Sequence, residues 1–429
     1  MNSIWLSLGI TAQGIALLVL WRRLLPGRKR LPPVPPAADT PRDALNTSDS
    51  NPIGATYKYS APKPSTDASV SVIVATLNEA ARIAPCLKGL QQQGTSLLEV
   101  LVVDSNSTDG TRAMVEAVME QDPRFQLLTD GPLPAGWVGK VWALETGLRQ
   151  AKGEWILGID ADTVPKPGMI AGILRAMHMQ RYDAASFGPR FIGQTAAERW
   201  LQPAMLITLV YRTGAAGAKP AAPDRVLANG QCFVARREML LRLGGYAVSR
   251  ASFSDDVTLA RHLAHNGKRV GFLDGSRIID VRAYASLPEM WREWGRSFDL
   301  KDGASFARRW LDVLFIWLTM ALPVPLLLVL AVLQLIARPD SLSASISGST
   351  GFGAPDGLFA ALAGINALLL GMRFILLHAI RSNYGERGWT FWMSWLADVP
   401  AAVRLTLSTA RRPRVWRGRM YDPGTQYQS

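Results

Sequence analysis

Short apolar runs that end in polar clusters are the main pattern in the first half of the chain. The runs Ser71–Ala75, Val100–Val103 and Trp155–Ile159 have the length and the continuous hydrophobicity of strands that are buried on both faces. Stretches of helical character, Glu79–Gln91 and Arg112–Met119, follow the first two runs. Strands that alternate with helices predict right-handed βαβ units, and therefore an α/β domain with a mostly parallel sheet.

Each of these three predicted strands ends in polar or acidic residues. Asn78 and Glu79 follow the first strand, Asp104 ends the second, and Asp160 and Asp162 follow the third. Open α/β sheets bind ligands at the carboxyl ends of their strands, so we expect these side chains at one edge. Two carboxylates at i and i+2 can face one hard cation, which predicts a Mg²⁺ or Mn²⁺ site. The alternative is that the polar residues are only turn formers or helix caps.

Longer apolar segments predict membrane helices near both ends of the chain. The segment Ile4–Trp21 has the length of a span and lacks a cleavable signal pattern, with a peripheral helix as the alternative. The segments Leu311–Ala337 and Leu358–Ile380 are also long enough to span, and Pro323 and Pro325 predict a kink in the first of them. We therefore expect an integral membrane protein.

Two further apolar segments allow two interpretations each. Trp389–Leu407 starts with aromatic residues but contains Asp398 and Arg404, where a charge facing lipid is costly. A full crossing would also place the basic tail outside, so we expect an interfacial or re-entrant helix, with a third crossing as the alternative. Arg199–Tyr211 is either an interfacial element or a buried core helix.

Composition and charge limit the function classes. The formal net charge is +13, but the basic residues cluster beside apolar segments, as the positive-inside rule predicts for cytoplasmic flanks, which argues against nucleic-acid binding. Two Cys and four His are too few for a disulfide framework and show no zinc-ligand spacing. The predicted organisation is a membrane anchor (1–25), a flexible Pro-rich linker (26–69), an α/β domain (70–302), a membrane region (303–410) and a basic cytoplasmic tail (411–429).

Four motifs in this order resemble the catalytic domain of the family 2 glycosyltransferases, which has the Rossmann-like GT-A fold. They are Val-Ala-Thr-Leu-Asn-Glu, Val-Val-Asp-Ser-Asn-Ser-Thr-Asp-Gly-Thr, Asp-Ala-Asp, and Phe-Ser-Asp-Asp-Val-Thr-Leu at 253–259. The strings at 136–140 and 415–421 are similar to membrane enzymes associated with carotenoid and hopanoid-type lipids. The resemblance implies an inverting transfer of a sugar from a nucleotide-sugar donor, with a membrane lipid hydroxyl as the acceptor.

The resemblance also implies roles for the donor-side residues. Asp162, assisted by Asp160, would hold the divalent ion, and Asp160 would also face the donor. The nucleobase or ribose would contact Asn78, Glu79 and Asp104. Lys140 is a candidate partner for phosphate or sugar oxygens, with a solvated surface lysine as the alternative. Asp109 and Gly110 are expected to form only a turn before a helix.

The remaining motifs concern the acceptor. Asp256 matches the family's catalytic base, while the role of its neighbour Asp255 stays open; both acids are alternatively only the start of a helix. Arg296 lies where processive relatives have Gln-x-x-Arg-Trp, and it would contact the diphosphate or else snorkel from an interfacial helix. The Gln and the Trp of that motif are missing, which favours transfer of a single sugar. A carotenoid or related polyprenoid is the leading acceptor, the alternatives being a diacylglycerol- or ceramide-type glycolipid synthase and a catalytically silent membrane scaffold.

Overall fold

The computed structural model describes residues 3–38, 69–219, 222–282, 284, 286–298, 300–301, 304–336, 355–411, 415–416 and 419–420. The chain divides into two compact units. The helical unit comprises 1–28, 193–215 and 285–412, and the sheet unit comprises 29–192, 216–284 and 413–429. The predicted domain at 70–302 departs from this division, because its segment 193–215 and its last residues belong to the helical unit.

The strands of the described residues all lie in the sheet unit. They are β1 (Val70–Thr76), β2 (Leu97–Asp104), β3 (Phe125–Thr129), β4 (Trp155–Asp160), β5 (Thr163–Pro165), β6 (Ala184–Gly188), β7 (Arg190–Phe191), β8 (Cys232–Arg236), β9 (Val270–Asp274), β10 (Ile279–Val281), β11 (Val415–Trp416) and β12 (Arg419–Met420). The main sheet has the order β3-β2-β1-β4-β8-β6-β9, and β5-β10-β7 form a second, small sheet. In the main sheet only β8 pairs antiparallel to its neighbours, so the predicted mostly parallel α/β sheet is confirmed.

The helices are distributed over both units. In chain order they are α1 (Ser3–Leu24), α2 (Ile83–Gln91), α3 (Thr111–Met119), α4 (Gly139–Gln150), α5 (Met169–Gln180), α6 (Ala196–Thr213), α7 (Arg237–Arg242), α8 (Asp255–His265), α9 (Leu287–Ser297), α10 (Phe306–Ile316), α11 (Pro323–Ile336), α12 (Pro355–Ala379), α13 (Gly388–Trp392) and α14 (Asp398–Ala410). Short 3₁₀ turns lie at Leu25–Lys29, Pro223–Arg225, Gly245–Ser249, Arg381–Asn383 and Ser394–Ala397, and a π-helical turn lies at Trp317–Ala321.

The main sheet is buried on both faces, as its continuous apolar strands predict. Along β1, Val72 and Val74 belong to one hydrophobic cluster while Ile73 belongs to another, because successive side chains point to opposite faces. Residues of α2 and α5 join the first cluster, and residues of α4 and α8 join the second. Helices therefore cover both faces of the sheet and leave its edge for the polar side chains.

The predicted flexible linker is wrong for its first residues. Residues 31–37 run in extended form along the sheet unit, where the backbone amides of Leu31, Val34 and Ala37 donate to Gly217, Asp274 and Gly168 at 2.8–3.0 Å. Val34 is 5% exposed and joins the core. Prolines favour an extended backbone without internal hydrogen bonds. The composition of the segment therefore does not distinguish a docked strand-like stretch from a free tether. The linker beyond residue 38 lies outside the described residues, as does most of the basic tail after Arg411.

The helical unit contains the apolar helices. Ile4–Lys29 and Gly357–Ala379 are long and apolar enough to cross a membrane, and Phe306–Ala321 with Pro323–Ile336 forms a pair bent by 47°. The predicted proline kink is therefore present, and it follows the π-helical turn Trp317–Ala321. The segment from Gly388 to Ala410 breaks into α13, a 3₁₀ turn and α14, so no single helix of spanning length forms there.

Two buried polar residues of α12 are paired with side chains of other elements in the helical unit. Arg373, 1% exposed, donates to both oxygens of Asp398 at 2.8–3.0 Å and lies 3.3 Å from the hydroxyl of Ser394. Asn366 and Gln13 exchange amide hydrogen bonds at 2.9 Å. The polar residues of α12 therefore face partner elements and not lipid.

The segment Arg199–Tyr211 lies within α6, which is mostly buried within the protein, as the core-helix alternative predicts. Thr195 caps its start and forms a capping box with Glu198, and eleven of its eighteen residues are buried.

Candidate active site

The polar clusters that follow the strands do meet at one edge of the sheet. β1, β2 and β4 are parallel, with Thr76 opposite Asp104 and Ala75 opposite Asp160. β8 begins at Cys232, next to Ile159, so the turn that precedes β8 lies at this same edge. The predicted common edge is confirmed, and the antiparallel strand adds residues to it that the parallel pattern did not indicate.

The Asp-Ala-Asp sequence forms a tight turn between β4 and β5. The hydroxyl of Thr163 donates to the carbonyl of Asp160 at 2.7 Å, and Ala161 is buried beneath the turn. The side chains of Asp160 and Asp162 are both half-buried, and that of Asp160 is 30% exposed. The segment thus forms a turn, as the alternative interpretation predicts. The turn also leaves a carboxylate accessible at the sheet edge.

Lys140 lies next to this turn, which excludes the alternative of a solvated surface lysine. It is the second residue of α4, its side chain is only 14% exposed, and its Nζ lies 2.5 Å from Oδ1 of Asp160. Burial lowers the pKa of Lys140, but the carboxylates of Asp160, Asp255 and Asp256 outweigh burial and raise it above its ordinary value. The ammonium therefore stays charged at any physiological pH.

Asp256 lies at the start of α8 and is tied to the turn before β8. Its Oδ2 accepts the backbone N–H of Gly230 at 2.7 Å, and its Oδ1 accepts that of Val257 at 2.8 Å. Burial and then the neighbouring Asp255 raise the pKa of Asp256 to about 6, against the opposing effect of Lys140 and the two N–H groups. Both acids do begin a helix, as the alternative stated, and Asp256 is also part of the site.

Gly230 is a site residue that the sequence interpretation missed. A Cβ at this position would lie 3.0 Å from Nζ of Lys140, which is a tight contact, and 3.6 Å from Oδ2 of Asp256, which is an ordinary one, so glycine lets the ammonium lie here without being displaced. The signal was the Asn-Gly pair before an apolar run, which marks a turn, but nothing in the sequence connects that turn to Asp256. Asp130 was also missed; it follows β3 at the same edge and accepts the hydroxyl of Ser105 at 2.6 Å.

The loop after β1 is fastened to the loop after β2. Asn78 adopts a left-handed backbone with φ of 56°, and its Oδ1 accepts the backbone N–H of Thr108 at 2.9 Å. The N–H of Glu79 donates to the hydroxyl of Thr111 at 2.9 Å, and Glu79 is buried. This turn delays α2, which begins at Ile83 and not at the predicted Glu79. Asn78 and Glu79 therefore fix the shape of the edge rather than cap the helix.

Asp109 holds the same junction from the other side. Its carboxylate accepts the N–H of Ala80 at 2.9 Å and the hydroxyl of Thr111 at 2.6 Å, and these hydrogen bonds lower its pKa despite the opposing desolvation. Gly110, with φ of +92°, then starts α3. The predicted structural role of Asp109 and Gly110 is confirmed.

Asp104 is fully buried at the base of this loop. Its oxygens accept hydrogen bonds from Thr76, from the backbone and side chain of Ser107 at 3.0 and 2.5 Å, and from Arg112 at 3.2 Å. Asp104 therefore forms the turn that the alternative interpretation predicts.

Arg296 belongs to the helical unit, on α9, where its guanidinium pairs with Glu293 at 3.0 Å.

A divalent cation fits the donors at this edge only together with a bound substrate. Among the described residues, no group of three or more His, Cys, Asp or Glu side chains could hold a metal ion by itself. Asp160 and Asp162 would supply one or two carboxylate oxygens, which is how proteins commonly hold Mg²⁺ that is otherwise ligated by substrate phosphates and water. The exposure of Asp160 leaves its carboxylate accessible to such a complex.

Part of the chain is similar in sequence to known glycosyltransferases. Residues 71–244 match the sequence model of Glycosyl transferase family 2. A probable glycosyltransferase of Bacillus subtilis, YdaM, is 25% identical over 230 residues, which cover 53% of each chain. A GalNAc(5)-diNAcBac-PP-undecaprenol beta-1,3-glucosyltransferase of Campylobacter jejuni is 29% identical over 106 residues, 25% of this chain and 33% of that one. The chain thus spans about half or less of the length of these curated relatives.

A solved structure supports the fold over nearly the whole chain. The mannosyltransferase PcManGT from Pyrobaculum calidifontis, in complex with GDP-Man and Mn²⁺, superposes with a TM-score of 0.51 and 20% identity, covering 94% of this chain and 98% of that one. At this identity the likeness concerns the fold alone. The domain at 71–244 is therefore similar to the family 2 glycosyltransferases, and the chain has the GT-A fold.

Proposed function

We propose that the protein is an inverting glycosyltransferase that moves one sugar from a nucleotide-sugar donor to a hydroxyl of a membrane lipid. The observation that carries the proposal is the meeting of Asp160, Lys140 and Asp256 at one edge of the sheet. A charged ammonium, an accessible carboxylate and a carboxylate of raised pKa are the groups that a diphosphate leaving group and an attacking hydroxyl require.

On the donor side, the leaving diphosphate gains negative charge as the glycosidic bond breaks. A Mg²⁺ or Mn²⁺ ion on Asp162 and Asp160 would act as a Lewis acid toward that charge. Lys140 would add a fixed positive charge beside it. Asn78 and Glu79 shape the loop where the nucleoside would lie. Asp104 stabilises that loop through its hydrogen bonds. Arg296 is proposed as a further contact of the diphosphate.

On the acceptor side, Asp256 is the proposed base. Its carboxylate would take the proton of the acceptor hydroxyl while that oxygen forms a bond to the anomeric carbon, and the bond from this carbon to the diphosphate oxygen would break with its electrons. A pKa of about 6 keeps most of the group ionised at neutral pH and still gives it affinity for the proton. Attack from the face opposite the leaving group inverts the anomeric centre. Asp255, buried beside Asp256, contributes to that raised pKa.

The lipid acceptor rests on the helical unit and on resemblance. Two helices and one bent pair are apolar enough to cross a bilayer, and we place the catalytic domain on the cytoplasmic side because the basic flanks favour it. The Campylobacter relative is named for an acceptor carried on undecaprenol, which supports an acceptor at the membrane, and a carotenoid or related polyprenoid is the leading candidate by resemblance. A diacylglycerol- or ceramide-type glycolipid synthase is the second candidate. A silent scaffold is disfavoured, because Asp160, Asp162 and Asp256 are all present.

The test is lipid and pigment chromatography of a strain that lacks this chain. We expect one glycolipid to disappear and its unglycosylated precursor to accumulate, and wild-type chain should restore it. Asp162→Asn should not restore it, since a ligand charge is lost, whereas Glu238→Gln, in an exposed helical ion pair, should. An unchanged lipid profile, or full activity of Asp162→Asn in chelator, would overturn the proposal.

A further inference from the structure

Lys140 and a divalent cation would share the carboxylate of Asp160. The ammonium lies 2.5 Å from Oδ1 of Asp160, and both side chains lie beside the turn that would hold the metal. A metal–carboxylate bond is about 2.0–2.1 Å long for Mg²⁺, so a metal on that oxygen would lie only about 4 Å from the ammonium. Two cations at this distance repel each other strongly, even when water screens them.

The ammonium has a second anionic neighbour within the same unit. Nζ of Lys140 lies 3.0 Å, and Oδ2 of Asp256 lies 3.6 Å, from the point that a Cβ on Gly230 would occupy. The two groups therefore share one small space, which the missing side chain of Gly230 leaves open. Lys140 is thus close to both the metal-side carboxylate and the proposed base, and a short swing of its four-carbon stem changes its distance to Asp160.

We propose that Lys140 and the divalent cation compete for Asp160, and that the diphosphate of the donor relieves the competition by taking the ammonium as its partner. This inference rests on the proposed function and adds that binding of the metal depends on binding of the diphosphate. The metal alone binds poorly, because the ammonium already neutralises Asp160. Metal and diphosphate together bind well, because the negative charge of the diphosphate accepts both cations. The two ligands are then thermodynamically coupled through one lysine.

The experiment measures Mn²⁺ binding to the full chain in detergent, without any nucleotide, by electron paramagnetic resonance of the free ion. Lys140→Met should bind Mn²⁺ at least about tenfold more tightly than wild type, since a neighbouring positive charge is gone. Lys140→Arg, which keeps the charge, should stay near wild type. Lys166→Met is the matched control, because Lys166 pairs with Asp280 at 2.7 Å in the same unit; its Mn²⁺ affinity should not change.

A second titration adds inorganic pyrophosphate as the probe. Pyrophosphate should strengthen Mn²⁺ binding more in wild type than in Lys140→Met. Only the wild type has an ammonium that can leave Asp160 and pair with the pyrophosphate. Equal or weaker Mn²⁺ binding by Lys140→Met in the absence of pyrophosphate would overturn the inference, and so would tighter binding by Lys166→Met to the same degree. Neither result depends on turnover, so the lipid assay decides separately on the proposed function.

Discussion

The carbonyl oxygen of Pro35 lies 2.5 Å from the point that a Cβ on Gly172 would occupy. Gly172 is inside α5, and Pro35 belongs to the extended segment 31–37 that runs along the sheet unit. The extended segment can therefore pack against α5 at this point only because Gly172 has no side chain. The contact explains why a glycine of low helix propensity occurs in the middle of a helix.

Gly172→Ala should destabilise the protein although it improves helix propensity. Alanine gains about 1 kcal/mol over glycine in a helix, whereas a clash with backbone costs typically about 1–3 kcal/mol. We expect a lower midpoint of thermal unfolding for the detergent-solubilised chain. Gly131→Ala is the control, since a Cβ there would meet no atom within 4 Å. A Gly172→Ala protein at least as stable as wild type would show that segment 31–37 is not held at α5.

Asp256→Asn should abolish most of the transfer while donor binding remains. A general base contributes about 10²- to 10⁴-fold in rate, and the donor is held mainly by other groups in our proposal. Asp255→Asn should cost less, because it removes only a neighbouring charge. The measurement is transfer to a lipid acceptor together with a donor-binding titration. Greater damage from Asp255→Asn, or loss of donor binding in Asp256→Asn, would reverse the assigned roles.

The rate of transfer should rise with pH through about 6. Burial and Asp255 raise the pKa of Asp256 to about 6, and the base acts only when it is ionised. Below that pH the acid form predominates, so kcat/KM should fall about tenfold per pH unit. Asp255→Asn removes a repulsive charge and should move the midpoint to lower pH. A profile that is flat between pH 5 and 7 would exclude Asp256 as the titrating base.

The two basic flanks should lie on the same side of the membrane. Single cysteines introduced at positions 63 and 418 should react equally with a membrane-impermeant reagent in inside-out vesicles, because position 63 follows the basic flank at 22–30 and position 418 lies within the basic tail. Opposite accessibility would show that the segment after Trp389 crosses the bilayer.

The apolar runs were sufficient to predict the strands at the centre of the sheet. β1, β2 and β4 contain the predicted runs, because a buried parallel strand needs continuous hydrophobicity, and that requirement is local. Their carboxyl ends then had to meet. The position of Asp160 at that edge thus followed from pattern alone.

The contacts made by the antiparallel strand were not predictable in the same way. Gly230 meets Asp256 because β8 enters the sheet next to β4 in the opposite direction, and no periodicity in the sequence encodes that pairing. The docking of residues 31–37 could not be predicted from the sequence for a related reason. The residues that accept its backbone hydrogen bonds, Gly168, Gly217 and Asp274, are distant in the chain. Composition describes a segment in isolation and says nothing about the surface that receives it.

The pairing of Arg373 with Asp398 has a consequence for how the protein is made. Arg373 lies six residues before the end of α12, and a lone arginine in an apolar helix costs up to about 2.5–3.5 kcal/mol when the translocon releases it into lipid. Its partner follows only 25 residues later, so α12 and the segment up to α14 emerge from the ribosome almost together. The pair can neutralise itself while both segments are still at the translocon, and Asp398→Ala should therefore leave a chain that is synthesised normally but integrated poorly.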